Sequence, residues 1–227
     1  MSHNSSSKND STTGESPHSK GELSRENILL TAAKLATTRG LNGLSIGELA
    51  AEVGMSKSGL YAHFKSKEEL QLATIDTAAA IFSREVVRPA LSAPAGTRRL
   101  RALADSFLAY LKRSVFPGGC FFAAVGMELD TRPGVPRDRV VEMQQKWHSL
   151  LRQNLLDAQA HNEIDPGADV PQAVFEFHAM LLAANFFYAM SNDPTRLIQA
   201  RKGIDNVLAR LAGRGQTKRK RPVRAKT

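Results

Sequence analysis

The segment from Leu44 to Leu70 predicts two short helices joined by a tight turn, and it restricts the possible folds more than any other stretch of the chain. Ser45 can cap the first helix, and Glu48, three residues later, completes a capping box. Apolar residues then recur at helical spacing and form one inward face: Ile46, Leu49, Ala50 and Val53. Gly54 supplies the left-handed backbone conformation that ends the helix.

The second helix, Lys57 to Phe64, has a polar outer face. Ser56 caps it, and Leu60 and Phe64 lie one turn apart and point inward. The outward residues are small or can form hydrogen bonds: Lys57, Ser58, Gly59, Tyr61 and His63. A helix in a DNA groove needs short side chains at its closest approach and polar groups at its edges. The pattern favours a DNA-binding helix-turn-helix; the alternative is that these residues are merely exposed.

This segment resembles the helix-turn-helix of the tetracycline-repressor-like (TetR) family of bacterial transcription regulators. The resemblance is carried by residues at unbroken spacing: Ser45, Ile46, Leu49, Ala50, Val53, Gly54, Met55, Ser56, Gly59, Leu60, Tyr61, His63, Phe64, Lys67, Glu68 and Leu70. One departure is Ser58-Gly59-Leu60, where many members have Gly-Thr-Leu, so this chain lacks that threonine hydroxyl.

The resemblance implies that this segment binds DNA through Ser45, Ser56, Lys57, Ser58, Gly59, Tyr61, His63 and Lys67. Tyr61 and Lys67 match family positions that commonly contact phosphate, and such contacts fix the register without reading the sequence. Ser45 and Ser56 begin helices, whose free N–H groups and dipole favour anions.

Four regions are expected along the chain. Residues 1–23 are rich in Ser, Asn, Thr and Gly and are predicted to be disordered. Residues 24–70 form the helix-turn-helix domain, and residues 71–212 form a ligand-binding and dimerisation domain. Residues 213–227 form a basic tail that is predicted not to fold on its own.

The periodicity predicts an all-α fold of nine helices, with three in the N-terminal head and the rest in a C-terminal body. A helix from Lys67 to about Val87 connects the two, and Pro89 is expected to end it. The last helix is predicted from Pro194 to Leu211. The helix order is similar to TetR-family architecture, and residues 116–140 look like a segment found in a subset of that family.

Composition limits where such a chain can act. No run of about eighteen apolar residues is evident, so no membrane span is expected. The N-terminus shows no secretion signal, and the lone Cys120 cannot form an internal disulfide. A cytoplasmic protein is therefore expected.

The net charge of +9 is concentrated near the C-terminus, because residues 214–227 hold seven Lys or Arg and no acid. Residues 24–70 hold six basic and five acidic residues, so the helix-turn-helix prediction depends on pattern rather than on charge. The tail leaves open an alternative, a protein that coats nucleic acid nonspecifically. Deleting the tail separates the two, because a specific regulator would keep its site preference.

The resemblance also implies a small-molecule cavity between the helices of the body, and such cavities are mostly apolar with few polar groups. Nine residues are the candidates for its wall: Phe107, Phe121, Phe122, Met127, Trp147, His148, Phe177, His178 and Asn185. Each of them could equally be an ordinary core residue.

A wide apolar stripe on the last helix predicts a homodimer interface, because the family dimerises through its last two helices. The stripe consists of Leu197, Ile204, Val207, Leu208 and Leu211, with Ile198 beside it. The alternative is that the stripe packs within one subunit.

No cofactor or metal is expected. His161 and Glu163 have no second cluster at ligand spacing, and Cys120 in an apolar helix is more typical of a core residue than of a redox sensor. An enzyme is a further alternative, but no phosphate-binding Gly loop, nucleophile elbow or zinc spacing is present. The expected function is a one-component transcription regulator, most simply a repressor released from a near-palindromic operator by a small apolar molecule.

Overall fold

The computed structural model describes residues 20–218, and side chains within residues 24–213. Its described part is all-helical, as predicted, and contains nine helices when the connector is counted as one. They are α1 Lys20–Arg39, α2 Ile46–Glu52, α3 Lys57–His63, α4 Lys67–Phe82 with its extension, α5 Thr97–Lys112, α6 Phe121–Leu129, α7 Val135–Ala160, α8 Val170–Ser191 and α9 Thr195–Lys218.

Two helices are longer than predicted. The first begins at Lys20, so residues 20–23 of the segment expected to be disordered are helical, and residues 1–19 lie outside the described residues. The last continues to Lys218, past the expected end at Leu211, so the first part of the basic tail is helical. The rest of the tail, residues 219–227, lies outside the described residues.

Serine caps set the starts of α2, α3 and α4. The amide of Glu48 donates to Ser45 Oγ at 3.1 Å, that of Gly59 to Ser56 Oγ at 3.0 Å, and that of Glu69 to Ser66 Oγ at 3.0 Å. Each cap pairs an amide that the helix itself leaves free. Gly54 has a φ of +69°, which is the left-handed conformation expected for the turn between α2 and α3.

The connector α4 does not end cleanly at its proline. A π-helical turn, Ser83–Val87, follows Phe82, and the short helix Arg88–Ala90 contains Pro89. The amide of Arg88 donates to the carbonyl of Ser83, five residues back, instead of four. Since proline has no amide hydrogen to donate, the connector widens by one residue just before Pro89 and continues.

The helices pack so that α4 contacts both parts of the molecule. It lies against α1 in the head and against α7 in the body, while α6 packs between α1 and α7. The body is completed by α5 and by α8 and α9, which pack against each other. The buried apolar residues form a continuous core from Ile28 in α1 to Leu211 in α9.

Helix α8 corrects the expectation about membrane spans in one respect. By length and composition it could cross a membrane, with a mean hydropathy of 1.3 over eighteen residues. One such helix is weak evidence, because a core helix of a soluble protein meets the same criterion. In this chain 28% of that window is buried, and α8 leaves several aromatic residues exposed.

Candidate DNA-binding and effector sites

Most of the predicted DNA-binding residues of the head are exposed. Leu60 and Phe64 are buried, as the helical spacing requires, while Ser56, Lys57 and Ser58 at the start of α3 are exposed. Ser45 is also exposed, at the start of α2. The starts of α2 and α3 and the outer face of α3 are therefore open to solvent.

Tyr61 and Lys67 differ in whether the rest of the protein holds their side chains in place. Tyr61 is 55% exposed, so its hydroxyl is free to reach away from the protein. Lys67 Nζ donates to the backbone carbonyl of Asn42 at 2.6 Å, which ties the start of α4 to the turn between α1 and α2. His63 and Gly59 are half-buried.

A carboxylate from the body holds the α1–α2 turn of the head. Glu128, near the end of α6, accepts from the amide of Leu41 at 2.5 Å and from that of Asn42 at 2.9 Å. Gln71 Nε2 on α4 donates to Asn42 Oδ1 at 3.0 Å. The turn that precedes the helix-turn-helix is therefore bonded to both α4 and α6.

A cavity of about 290 Å³ lies in the body between α4, α5, α6, α7 and α8. Its wall is mostly apolar and includes Ala79 and Phe82 of α4, Met143 and Leu150 of α7, and Leu181 of α8. An apolar cavity with a few polar groups is the usual form of a small-molecule site.

Four of the nine residues predicted for this wall line the cavity: Phe107, Phe122, Trp147 and His178. Phe121 and Phe177 are buried in the core, and Met127 is 58% exposed on the surface. Asn185 accepts a hydrogen bond from the amide of Cys120 at 2.7 Å and so holds the start of α6. His148 does not line the cavity but contacts His178, which does. Ligand binding by any of the nine remains a prediction.

The sequence reasoning missed the contribution of the connector. Phe82, Ser83 and Val87 line the cavity, and the last two belong to the π-helical turn. The Phe82 ring packs edge-on against Trp147, with centroids 5.4 Å apart, and against Phe122 at 6.0 Å. Pro89 was the available signal, because a proline cannot donate the backbone amide of a regular helical turn, and π-helical turns are frequent at functional sites.

Two histidines form the main polar pair at the cavity. His148 Nε2 and His178 Nδ1 are 2.5 Å apart, and His178 lines the wall. Burial, followed by the charge of His148, lowers the pKa of His178 to about 4, and burial also lowers the pKa of His148. Both rings are therefore uncharged at neutral pH.

Two further polar groups near the wall are also uncharged. Burial raises the pKa of the Cys120 thiol, and Cys120 lines the cavity. Burial, followed by the neighbouring Cys120, raises the pKa of the Tyr110 hydroxyl. A thiol that is kept protonated is a poor nucleophile, which agrees with reading Cys120 as a core residue.

Lys146 is the cation in the cavity wall, and its charge is already matched. Its Nζ lies 2.7 Å from Glu142, which also pairs with Arg139 at 2.7 Å. Arg139 in turn pairs with Asp76 of α4 at 2.8 Å. Hydrogen bonds from Lys146, followed by those from Arg139, lower the pKa of Glu142 and keep it ionised. The network contains two cations and two anions.

Within the described residues, no three His, Cys, Asp or Glu side chains converge as a metal site would require.

The stripe predicted as the dimer interface packs within the subunit instead. All five of its residues are buried in the single chain: Leu197, Ile204, Val207, Leu208 and Leu211. They face α8 and α5, against which α9 packs. A heptad stripe shows that a helix has a partner but not which partner, and here the partner belongs to the same chain.

The exposed apolar face lies mainly on α8. Its large residues are Phe175, Phe186, Phe187 and Met190, with Ile198 of α9 also exposed. Phe175 is 68% and Met190 75% exposed. Large exposed aromatic groups that follow one face of a helix mark a surface suited to a protein partner.

Two family models match this chain, and together they cover the head and most of the body. Residues 28–74 match "Bacterial regulatory proteins, tetR family", and residues 96–204 match "Tetracyclin repressor-like, C-terminal domain". The first contains the whole helix-turn-helix, and the second contains all the cavity helices after α4.

Individual proteins show the same similarity. The HTH-type transcriptional activator FasR of Mycolicibacterium smegmatis is 34% identical over 95 residues, which is 39% of this chain and 40% of FasR. The chain spans less than half of the length of the curated relatives it matches.

The structural similarity extends over nearly whole chains. A TetR transcriptional regulator from Chloroflexus aurantiacus superposes with a TM-score of 0.78 at 27% identity, covering 84% of this chain and 96% of that one. AibR, crystallised with isovaleryl coenzyme A and operator DNA, superposes with a TM-score of 0.64 at 25% identity, covering 83% and 97%.

Proposed function

The chain belongs to the tetR family of bacterial regulatory proteins, and on that premise we propose that it is a one-component transcription regulator. It binds an operator as a homodimer, and a small apolar molecule in the body releases it. The direction of control is repression, and the site of action is the cytoplasm. No catalytic activity forms part of this function.

The observation that supports the proposal best is the double role of the connector. Helix α4 begins in the head, where Leu70 is buried, and its far end lines the cavity through Phe82 and Ser83. A molecule that displaces the Phe82 ring therefore acts on the same helix that packs against α1 in the head. A second connection runs through α6, which lines the cavity at Phe122 and holds the α1–α2 turn at Glu128.

Release of DNA then follows from linkage. The dimer has one arrangement in which its two heads fit successive major grooves, about 34 Å apart, and another in which they do not. The effector weakens DNA binding only to the extent that it binds the second arrangement more tightly than the first. By reciprocity, operator DNA weakens effector binding by the same factor. AibR shows that one member of this fold accommodates both an acyl coenzyme A and operator DNA.

Within the head, Tyr61 and Lys67 contact phosphate, and Lys57 and Ser58 reach base edges. The exposure of the N-terminal turn of α3 supports these roles, because a helix start presents free amides to anions. Ser45 and Ser56 lie at the two helix starts.

Dimerisation uses the exposed face of α8 rather than the stripe on α9. Two copies of α8, together with the flanking α9 helices, form a four-helix interface that covers Phe175, Phe186, Phe187 and Met190. This places the interface at the end of the body that carries no part of the head.

The test is selection of genomic DNA fragments by the purified protein, followed by footprinting. We expect a protected near-palindrome with two half-sites about one helical turn apart. Binding without sequence preference would contradict the proposal and favour the nucleic-acid-coating alternative. A variant lacking residues 214–227 is the control, because it removes the basic tail and leaves the head intact.

A further inference from the structure

We propose that the cavity selects an uncharged molecule that carries a hydroxyl or carbonyl oxygen on an apolar body, and that His178 binds this oxygen. The inference rests on the proposed role of the cavity as the effector site. It adds the chemical class of the effector and the residue that distinguishes it from a hydrocarbon or a carboxylate.

The apolar part of the ligand follows from the wall. Four aromatic residues, Phe82, Phe107, Phe122 and Trp147, face the cavity from different helices, and Leu181 and Met143 complete much of the rest. The volume of about 290 Å³ is close to ten water molecules in the liquid, which is enough for a compact molecule rather than a long chain. A wall of this kind binds by removing apolar surface from water.

The polar part follows from the geometry of the histidine pair. His178 lines the cavity, and its Nδ1 is engaged by His148 Nε2 at 2.5 Å. The opposite ring nitrogen, Nε2, is therefore the atom of His178 left for a ligand. A ligand oxygen at this place can form a hydrogen bond with that nitrogen, so a ligand with an oxygen is favoured over one without.

The pair can serve either a donor or an acceptor. If His148 donates to His178 Nδ1, then His178 carries its proton on Nε2 and donates to a carbonyl oxygen. If His178 donates through Nδ1, its Nε2 is bare and accepts from a hydroxyl. His148 is half-buried and supports either arrangement, so it is a positioning residue rather than a ligand contact.

The electrostatics exclude a carboxylate as the preferred ligand. His178 is uncharged at neutral pH, and so are Cys120 and the neighbouring His148. The one cation in the described wall, Lys146, is paired with Glu142 in the balanced network that includes Arg139 and Asp76. A carboxylate would have to give up its hydration for a mostly apolar wall whose one described cation, Lys146, is already paired with Glu142. Ser83 and Gln144 also line the wall and can add neutral hydrogen bonds.

The chain supplies its own reporter, because its single tryptophan, Trp147, lines the cavity. We would measure Trp147 fluorescence of the full chain, without DNA, against three probes of similar shape: isopropylcyclohexane, cyclohexyl methyl ketone and cyclohexanecarboxylate. At pH 7.5 we expect the ketone to bind about tenfold more tightly than the hydrocarbon, which corresponds to one hydrogen bond of ordinary strength. The carboxylate should bind most weakly of the three.

Variants show which residue is responsible. His178→Phe should bind the hydrocarbon as well as the wild type does but lose the preference for the ketone. His148→Gln keeps a donor and an acceptor and should retain part of the preference, whereas His148→Leu should lose it. His161→Phe, which changes an exposed histidine, is the matched control and should behave as the wild type.

Two results would overturn the inference: tighter binding of the carboxylate than of the ketone, or an unchanged ketone preference in His178→Phe. Neither result affects the proposed function, which is tested separately by operator selection and footprinting. Conversely, a chain that binds no specific DNA but prefers the ketone would contradict the proposed function while leaving the ligand class in place.

Discussion

At the scale of single residues, Tyr61 and Leu60 show how well the helix-turn-helix could be read from sequence. They are adjacent, yet Leu60 is buried and Tyr61 is 55% exposed, as the helical spacing predicts. The cavity residues were harder to predict, because Phe121 and Phe122 are also adjacent and similar, and only Phe122 lines the cavity. Helical spacing separates inside from outside, but it does not separate a filled core from a cavity inside it.

We predict that Tyr61→Ala weakens binding to all DNA, since a phosphate contact carries no sequence information. The salt dependence of affinity should change little, because tyrosine is uncharged. Lys57→Ala and Ser58→Ala should instead change the preference among operator variants, by about 1–3 kcal/mol where a base contact is lost. Footprinting on matched and mismatched operators measures both effects, and unchanged affinity for Tyr61→Ala would rule out its assigned role.

The histidine pair predicts how stability depends on pH. The folded pKa of His178 is about 4, below the ordinary value of 6.5, so the unfolded chain binds the proton more readily. Its contribution to stability is therefore complete above about pH 6.5 and is lost as the pH falls from there towards 4. Urea unfolding at a series of pH values should show a weaker acid dependence in His178→Phe than in the wild type.

His161→Phe is the comparison for that experiment, because His161 is exposed. Its acid dependence should match that of the wild type. An acid dependence in His178→Phe equal to that of the wild type would mean that His178 is protonated at the same pH in both states.

At the scale of helices, the sequence predicted which segments are helical better than it predicted which face of each helix is buried. The stripe on α9 was predicted to be a homodimer interface, but its residues are buried within the single chain, where α9 packs on α5 and α8. Helix α8 has apolar residues on more than one side, so its periodicity could not show which side faces outward. Phe175 and Met190 could be identified as exposed only once the structure showed which side of α8 is covered by other helices.

We therefore predict that Phe175→Glu combined with Met190→Glu yields a folded monomer. Both side chains are exposed in one chain, so the new charges are hydrated there and become costly only when a second copy covers them. Light scattering should show half the wild-type mass, with helical content retained.

The matched control is Ile204→Glu with Leu208→Glu, because both residues are buried within one chain. These changes should unfold the body rather than separate two folded subunits, since each buries an unpaired charge at a cost of several kcal/mol. A Phe175→Glu, Met190→Glu protein that remains dimeric would place the interface elsewhere.

At the scale of the whole molecule, the charge is unevenly distributed, because residues 214–227 carry seven of the basic residues. We predict that deleting them flattens the dependence of DNA affinity on salt, since each phosphate that a tail residue neutralises releases counterions. Nonspecific binding should fall more than specific binding, because the groove-facing residues remain in the head. Affinity titrations at several salt concentrations measure this, and an identical slope with and without the tail would show that it does not contact DNA.

The contact between Glu128 and the α1–α2 turn has a consequence for the order of synthesis. It joins positions 87 residues apart, so a ribosome exposes the amides of Leu41 and Asn42 long before it makes the carboxylate that pairs with them. Domains of a nascent chain generally fold in the order in which they emerge. The head emerges first, and its α1–α2 turn lacks the hydrogen bonds to Glu128 until α6 has been made. A nascent chain therefore gains the finished head only after more than half of the protein has been translated.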